Sequence, residues 1–241
     1  HCGANVTVWD ASARATTYTA AASGTETPGT RTIGEGAQSL SAACGSNGSL
    51  ALLQGLAPRR DIPPILTGES PYGGQYQVVQ MSAGLVVVDA TAGARTLRES
   101  IAQGQWAMGR ISPQGGMGAL PRPLSASTTF AFAGEHLVIA DGASGEVAGF
   151  SADGREAFKF SAASAAPRRP SADDYRRASG ASVELVPAAL RDDALKLVQA
   201  IPLPETLPHF WRILSDPDGH LWLVTSPQGA AETHFRVYTR S

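Results

Sequence analysis

The chain has 241 residues, 43% of them hydrophobic, with a formal net charge of −2 and a pI near 6.2. That is enough apolar material for a sizeable core in one or two domains, and the near-neutral balance supplies no basic field for nucleic acid or an anionic membrane. No apolar run reaches the ~18–20 residues that cross a bilayer, so no transmembrane segment is expected, and no secretory leader is read.

The two cysteines are Cys2 and Cys44. They permit one disulfide closing a loop of ~40 residues, and two buried thiols are the alternative. Cys2-Gly3 also matches the lipid-bearing start of a bacterial lipoprotein, but His1 precedes it, so an N-terminal lipid anchor stays open. Val6–Trp9 and Thr16–Thr19 are rich in β-branched residues and predict two strands joined through Asp10–Ala13. Ser39–Ala43 and Leu50–Leu53 predict a hairpin, because Asn47 and Gly48 between them accept positive φ.

Ala57–Tyr72 and Gly104–Pro123 are rich in Gly and Pro and read as long connections. Between them Tyr76–Met81, a turn at Ser82-Ala83-Gly84, Leu85–Val88 and Ala94–Leu97 form a third strand unit. The fourth unit is the clearest: Thr129–Phe132, Leu137–Ala140, Glu146–Phe150 and Ala157–Phe160, with Gly134, Gly142, Gly145 and Gly154 in the turns. Four consecutive short antiparallel strands make one propeller blade.

Residues 167–208 break the pattern and read as a helical insertion. Ser171 with Asp174 offers a capping-box start for a short helix that soon meets Gly180. Pro187 suits the first turn of a second helix, in which Leu190, Ala194, Leu197 and Val198 share a face. The run Ile201-Pro202-Leu203-Pro204 ends it. Phe210–Leu214, Leu221–Thr225 and His234–Tyr238 form a last strand unit, whose final strand alternates apolar and polar residues and predicts one wet face.

One phrase recurs through these units, a Gly or Asp turn followed by an apolar run: Gly48–Leu53, Gly84–Asp89, Gly134–Asp141 and Asp218–Val224, with Asn5–Asp10 as a fifth copy. Repetition at such intervals predicts an all-β fold, a single β-propeller domain over residues 1–241 with four-stranded antiparallel blades. Six blades are favoured and five remain open, because only five blade-like phrases are visible.

Thr129–Ser161, with Leu137–Asp141 and Phe150–Arg155, resembles the bacterial six-bladed propellers related to the NHL-repeat and YWTD types. Leu203–Pro208 followed by Asp216–Val224 is similar to the last blade of the same group, including a helical insertion before it. The resemblance implies an extracytoplasmic bacterial protein, often secreted or lipid-anchored and usually of unknown or non-catalytic role, and it carries over no catalytic residue. It also prompts a concrete form of that role: an accessory subunit on the periplasmic side of a membrane electron-transfer assembly such as a photosynthetic reaction centre.

Chemistry-bearing patterns are sparse. There is no G-x-S-x-G elbow, no C-x-x-C-H and no phosphate loop with a following Lys. A metal reading gathers His209, His220 and His234 with Asp216 or Asp218, but spacings of 11 and 14 residues between the histidines do not match helical ligands, so turns and strand edges explain them better. Arg168, Arg169, Arg176 and Arg177 form a basic cluster on the insertion, a candidate contact for a protein partner against a default of solvated charge. Asn5 and Asn47, the only asparagines, both lie in N-x-S/T sequons. No enzyme activity, metal or cofactor is expected. The leading expectation is a scaffold that docks on another protein. The alternative is a hydrolase- or lactonase-like or ligand-binding propeller, with several of Asp89, Glu135, His136, Asp141, His209 and His220 around a central funnel. A glycan-binding propeller is disfavoured, because Trp9, Trp106, Trp211 and Trp222 are dispersed. Function is expected where the repeat is broken, chiefly at residues 57–72, 104–123 and 167–208.

Overall fold

The computed structural model describes residues 5–9, 14–20, 26–32, 39–45, 49–89, 93–114, 116–163, 168–184, 186–226 and 232–239, with residues 5–9, 14–20, 26–32, 39, 40, 89 and 93 as backbone only. Among the described residues the fold is mainly β, with two short helices. β1 (Asn5–Trp9), β2 (Arg14–Ala20) and β3 (Glu26–Thr32) form an antiparallel three-stranded sheet. The first two strands match expectation; β3, carrying Pro28 and Gly29, has a weak strand signal. A second sheet contains β4 (Ser39–Cys44), β5 (Leu50–Pro58), β6 (Leu66–Glu69), β7 (Gln75–Asp89), β8 (Gly93–Arg110) and β9 (Met117–Pro121). The third is the four-stranded meander β10 (Thr128–Ala133), β11 (His136–Asp141), β12 (Glu146–Phe150) and β13 (Glu156–Ser161). Then come the helices α1 (Ala172–Ser182) and α2 (Arg191–Ala200), and a fourth sheet of β14 (Arg212–Ser215), β15 (Leu221–Val224) and β16 (Phe235–Tyr238).

The second sheet departs most from the sequence reading. Ser82-Ala83-Gly84 is not a turn; β7 runs through it for 15 residues and pairs with the 18 residues of β8. The register slips between Gln80 and Ser82 and again on both sides of Leu85, while β5 slips between Gln54 and Ala57, where Gly55 has φ +69°. Bulges at one level across neighbouring strands bend a sheet without ending it. Leu85–Val88 therefore pairs with Leu50–Leu53, whereas the far half of β7 pairs with β6 and with the outer part of β8. The expected connections at 57–72 and 104–123 thus contain strand: β6 lies in the first, and the end of β8 with β9 in the second. Some of their glycines serve close packing. Tyr76 is flanked in register by Gly68 on β6 and Gly109 on β8, and a Cβ at Gly109 would lie 2.9 Å from that of Tyr76.

The helical insertion forms as its caps predict. Ser171 Oγ accepts from the Asp174 backbone N–H at 3.1 Å, and Asp174 Oδ2 accepts from the Ser171 N–H at 3.1 Å. Helix α1 does not stop at Gly180; burial of Tyr175 and Ala178 beside Leu124 and Leu207 outweighs a helical glycine's cost of about 1 kcal/mol. The second helix starts at Arg191, after a 3-10 turn at Ala188–Leu190 that Pro187 precedes. Its Ala194, Leu197 and Val198 are buried against Tyr76, Val78, Ala107 and Leu120, so the predicted face packs on the far half of the long hairpin, with Leu190 only half-buried.

The end of α2 is held by side chains. A helix leaves its last carbonyls without intrahelical partners. Here the Tyr175 hydroxyl lies 2.8 Å from both the Val198 and the Ile201 carbonyl oxygens, Tyr76 Oη donates to Ala200 O at 3.2 Å, and Arg122 Nη2 donates to Pro202 O at 2.7 Å.

Two further cores join the sheets. Leu53, Leu85, Ile101, Phe132 and Leu137 pack between the second and third sheets, and Val138, Val147, Phe210, Ile213 and Leu223 between the third and fourth. β10 lies against both β4 and β14. On β16 both faces are wet: Phe235, Arg236 and Val237 are all exposed, with Phe235 edge-on to Trp222 at 5.9 Å, while Tyr238 is half-buried on Phe160 and Arg236 Nη1 donates to Ala162 O at 3.2 Å. The residues alternate in kind as expected, but burial along the strand does not follow that alternation.

Candidate functional site

The three segments that interrupt the strand units meet at one groove of about 510 Å³. Leu66 comes from the first, Gln105 and Arg122 from the second, and the stretch Pro202–Pro208 from the third, with Leu124–Ala126 and Ala143 completing the wall. Prolines at 202, 204 and 208 fix the extended course of the insertion's tail, which α2 delivers there by its docking on the hairpin.

Arg122 is the central polar residue of this wall. It is 6% exposed, its backbone N–H donates to Gln105 O at 2.7 Å, and its Nη1 donates to Gln105 Oε1 at 2.6 Å. Its Nε–H has no hydrogen-bond partner. Burial lowers its pKa from the ordinary arginine value, and the groups that act back on it electrostatically are the hydroxyls of Tyr175 and Tyr76. Arginine remains charged at any physiological pH, so this is a desolvated cation with no carboxylate paired to it among the described residues. Two positions on, Leu124 is buried at φ +61°, the one non-glycine residue with positive φ among the described residues. Such backbone costs of order 1 kcal/mol or more and concentrates at ligand clamps.

The residues singled out from sequence are dispersed. Arg168, Arg169, Arg176 and Arg177 are exposed, and the last two pair along the helix with Asp173 and Asp174, each at 2.9 Å. Cys44, at the end of β4, is disulfide-bonded, and Cys2, the other cysteine of the chain, lies outside the described residues, as does Asn47 of the second sequon. Asp216, Asp218 and His220 offer ligand atoms within 4.8 Å of one another; His209 and His234 are not in this group. The arrangement is that of a tied turn. Asp216 accepts from the His220 N–H at 2.9 Å and from Trp222 Nε1 at 3.0 Å, and lies 2.8 Å from His220 Nδ1. Burial alone would raise its pKa, but these bonds from Trp222 and His220 prevail and hold it at about 2.

The funnel set is not gathered at one point. Glu135 and His136 sit at the start of β11 and Asp141 at its end, roughly 17 Å apart at strand rise. The His209 N–H donates to Gly142 O at 2.9 Å and so belongs to the Asp141 end, and Asp89 closes the β7–β8 hairpin opposite Gly93. Sequence reading passed over Arg122 and Leu124 because Pro121-Arg122-Pro123-Leu124 stands in a Gly- and Pro-rich segment. The one available signal was an arginine enclosed by two prolines and followed by leucine.

No family model matches the chain, and no curated protein matches it. Among the described residues no helix is long and apolar enough to cross a membrane.

Proposed function

We propose that the chain is a non-enzymatic docking protein of the propeller type, in which the groove formed by the three strand-interrupting segments receives the partner. The observation that carries this reading is that convergence: segments separated in sequence by a whole strand unit or more close around one groove of about 510 Å³, and a buried arginine and a strained leucine sit in its wall. A concavity in which polar groups converge beside apolar side chains is a usual form of recognition site.

The propeller part rests on the resemblance of the strand phrases, on the blade-like meander β10–β13, and on β10 lying between β4 and β14. First strands of successive units that adjoin one another are what blades around an axis require. The exposed Leu214, Phe235 and Val237 on the fourth sheet suit a face that a neighbouring blade covers. An extracytoplasmic location is supported by the bond at Cys44, since disulfides persist in oxidising compartments. An accessory role on a membrane electron-transfer assembly is the concrete form to test. Gentle solubilisation of the native source followed by size-exclusion chromatography is expected to give a stoichiometric co-migrating partner; a protein that elutes alone removes the docking reading.

A further inference from the structure

We infer that the groove beside Arg122 binds a singly charged carboxylate carried on an apolar body. The inference rests on the groove being a recognition site and adds the chemistry of what it recognises.

The charge sets the sign. A buried cation needs hydrogen-bonding acceptors or a counter-charge, and desolvation is costly without them. Of the five N–H donors of Arg122, side-chain bonds to Gln105 Oε1 and Pro202 O use two, and both acceptors are neutral. The nearby end of α2 offsets part of the charge, but a helix terminus amounts to about half an elementary charge and falls short of neutralising a guanidinium. Gln105 and Pro202 themselves border the groove, so the guanidinium is clamped at its wall, and an acceptor entering there meets donors already oriented.

The surroundings set the class. The lining is mixed: Gln105, Ser125 and Thr206 add polar surface beside Arg122, while Ile65, Leu66 and Leu203 supply apolar surface on which an aliphatic or aromatic body can rest. The volume of about 510 Å³ lies within the range of small-molecule sites. Arg122 is the only cationic side chain in the lining, and Glu205, exposed at the rim, adds a negative charge that opposes dianions such as phosphate or a dicarboxylate. A planar monoanion is the best complement to one guanidinium. The same chemistry is offered by a free monocarboxylic acid and by the terminal carboxylate of an apolar peptide.

The test is an NMR titration of the full chain with hexanoate, its neutral isostere hexanamide, succinate, and a leucine dipeptide as free acid and as amide. Hexanoate or the free-acid dipeptide is expected to shift resonances of Ser125 and Thr206, with the matching amide binding at least tenfold more weakly and succinate more weakly than hexanoate. Whichever of the two acids binds more tightly identifies the source. Leu203→Trp, at an exposed position on the groove, is expected to weaken binding at least tenfold with the rest of the spectrum unchanged; it serves where Arg122→Gln fails to fold. Glu205→Gln is expected to strengthen succinate binding. Equal binding of acid and amide, carboxylate binding unaffected by Leu203→Trp, or no shift at the groove overturns the inference. A protein partner that co-migrates while every carboxylate fails leaves the docking reading standing and removes only this one.

Discussion

Asp216 shows how a residue with the look of chemistry serves the fold. Its carboxylate organises the turn before β15 by accepting from Trp222 and from the His220 backbone, and its pKa falls to about 2. A group whose folded pKa lies below the unfolded value near 3.9 contributes stability that is complete above the unfolded value and is lost as pH falls toward the folded one. Thermal melts between pH 5 and pH 2 are therefore expected to show a loss of stability that Asp216→Asn reduces, with the variant less stable than wild type at pH 5 and converging on it near pH 2. A constant difference between the two across that window would show that the carboxylate's charge is not the stabilising element. Tyr175 makes a comparable argument without titration. Tyr175→Phe leaves the Val198 and Ile201 carbonyls without that donor in a buried setting and is expected to cost about 1–3 kcal/mol in denaturant unfolding.

The elements divide by how local their causes are. The meander β10–β13 was legible because each turn carries its own glycine and each strand its own apolar run; Gly134, Gly145 and Gly154 all adopt positive φ. The caps of α1 were legible because Ser171 and Asp174 are three residues apart. The long hairpin was not. Gly84 carries the same mark as a turn glycine, and only pairing with β5 and β8 makes it part of a bulged strand. Nor could Gly109 be understood without Tyr76 opposite it. Gly109→Ala is expected to destabilise by about 1–3 kcal/mol through overpacking, because Tyr76 is held from the other side by its bond to Ala200 O and has little room to yield. A neutral Gly109→Ala in denaturant melts would mean that the far half of the hairpin is looser than its packing implies.

At the scale of the whole molecule, the repeated units supply core and the interruptions supply the groove. The segments at residues 57–72, 104–123 and 167–208, where function is expected, all border the groove, although the first two contain more strand than their glycines and prolines suggest. What the chain order concealed was which residue in them lies buried at the groove wall. Arg122 becomes distinctive only when α2 is laid on the hairpin and its neighbours prove to be carbonyls, hydroxyls and an amide in place of a carboxylate. Of the basic cluster prominent in sequence, Arg176 and Arg177 pair with Asp173 and Asp174 along α1, and exposed pairs of that kind contribute little.

The central claim is that a protein partner engages this groove, and Leu203 is the position from which to test it, being 41% exposed and part of the groove lining. Native wild-type protein and Leu203→Arg, each confirmed as folded by its melting curve, should be compared by size-exclusion chromatography with light scattering after gentle isolation. The account predicts that wild type elutes with its partner and that Leu203→Arg elutes alone. A variant that retains the partner as fully as wild type would contradict it.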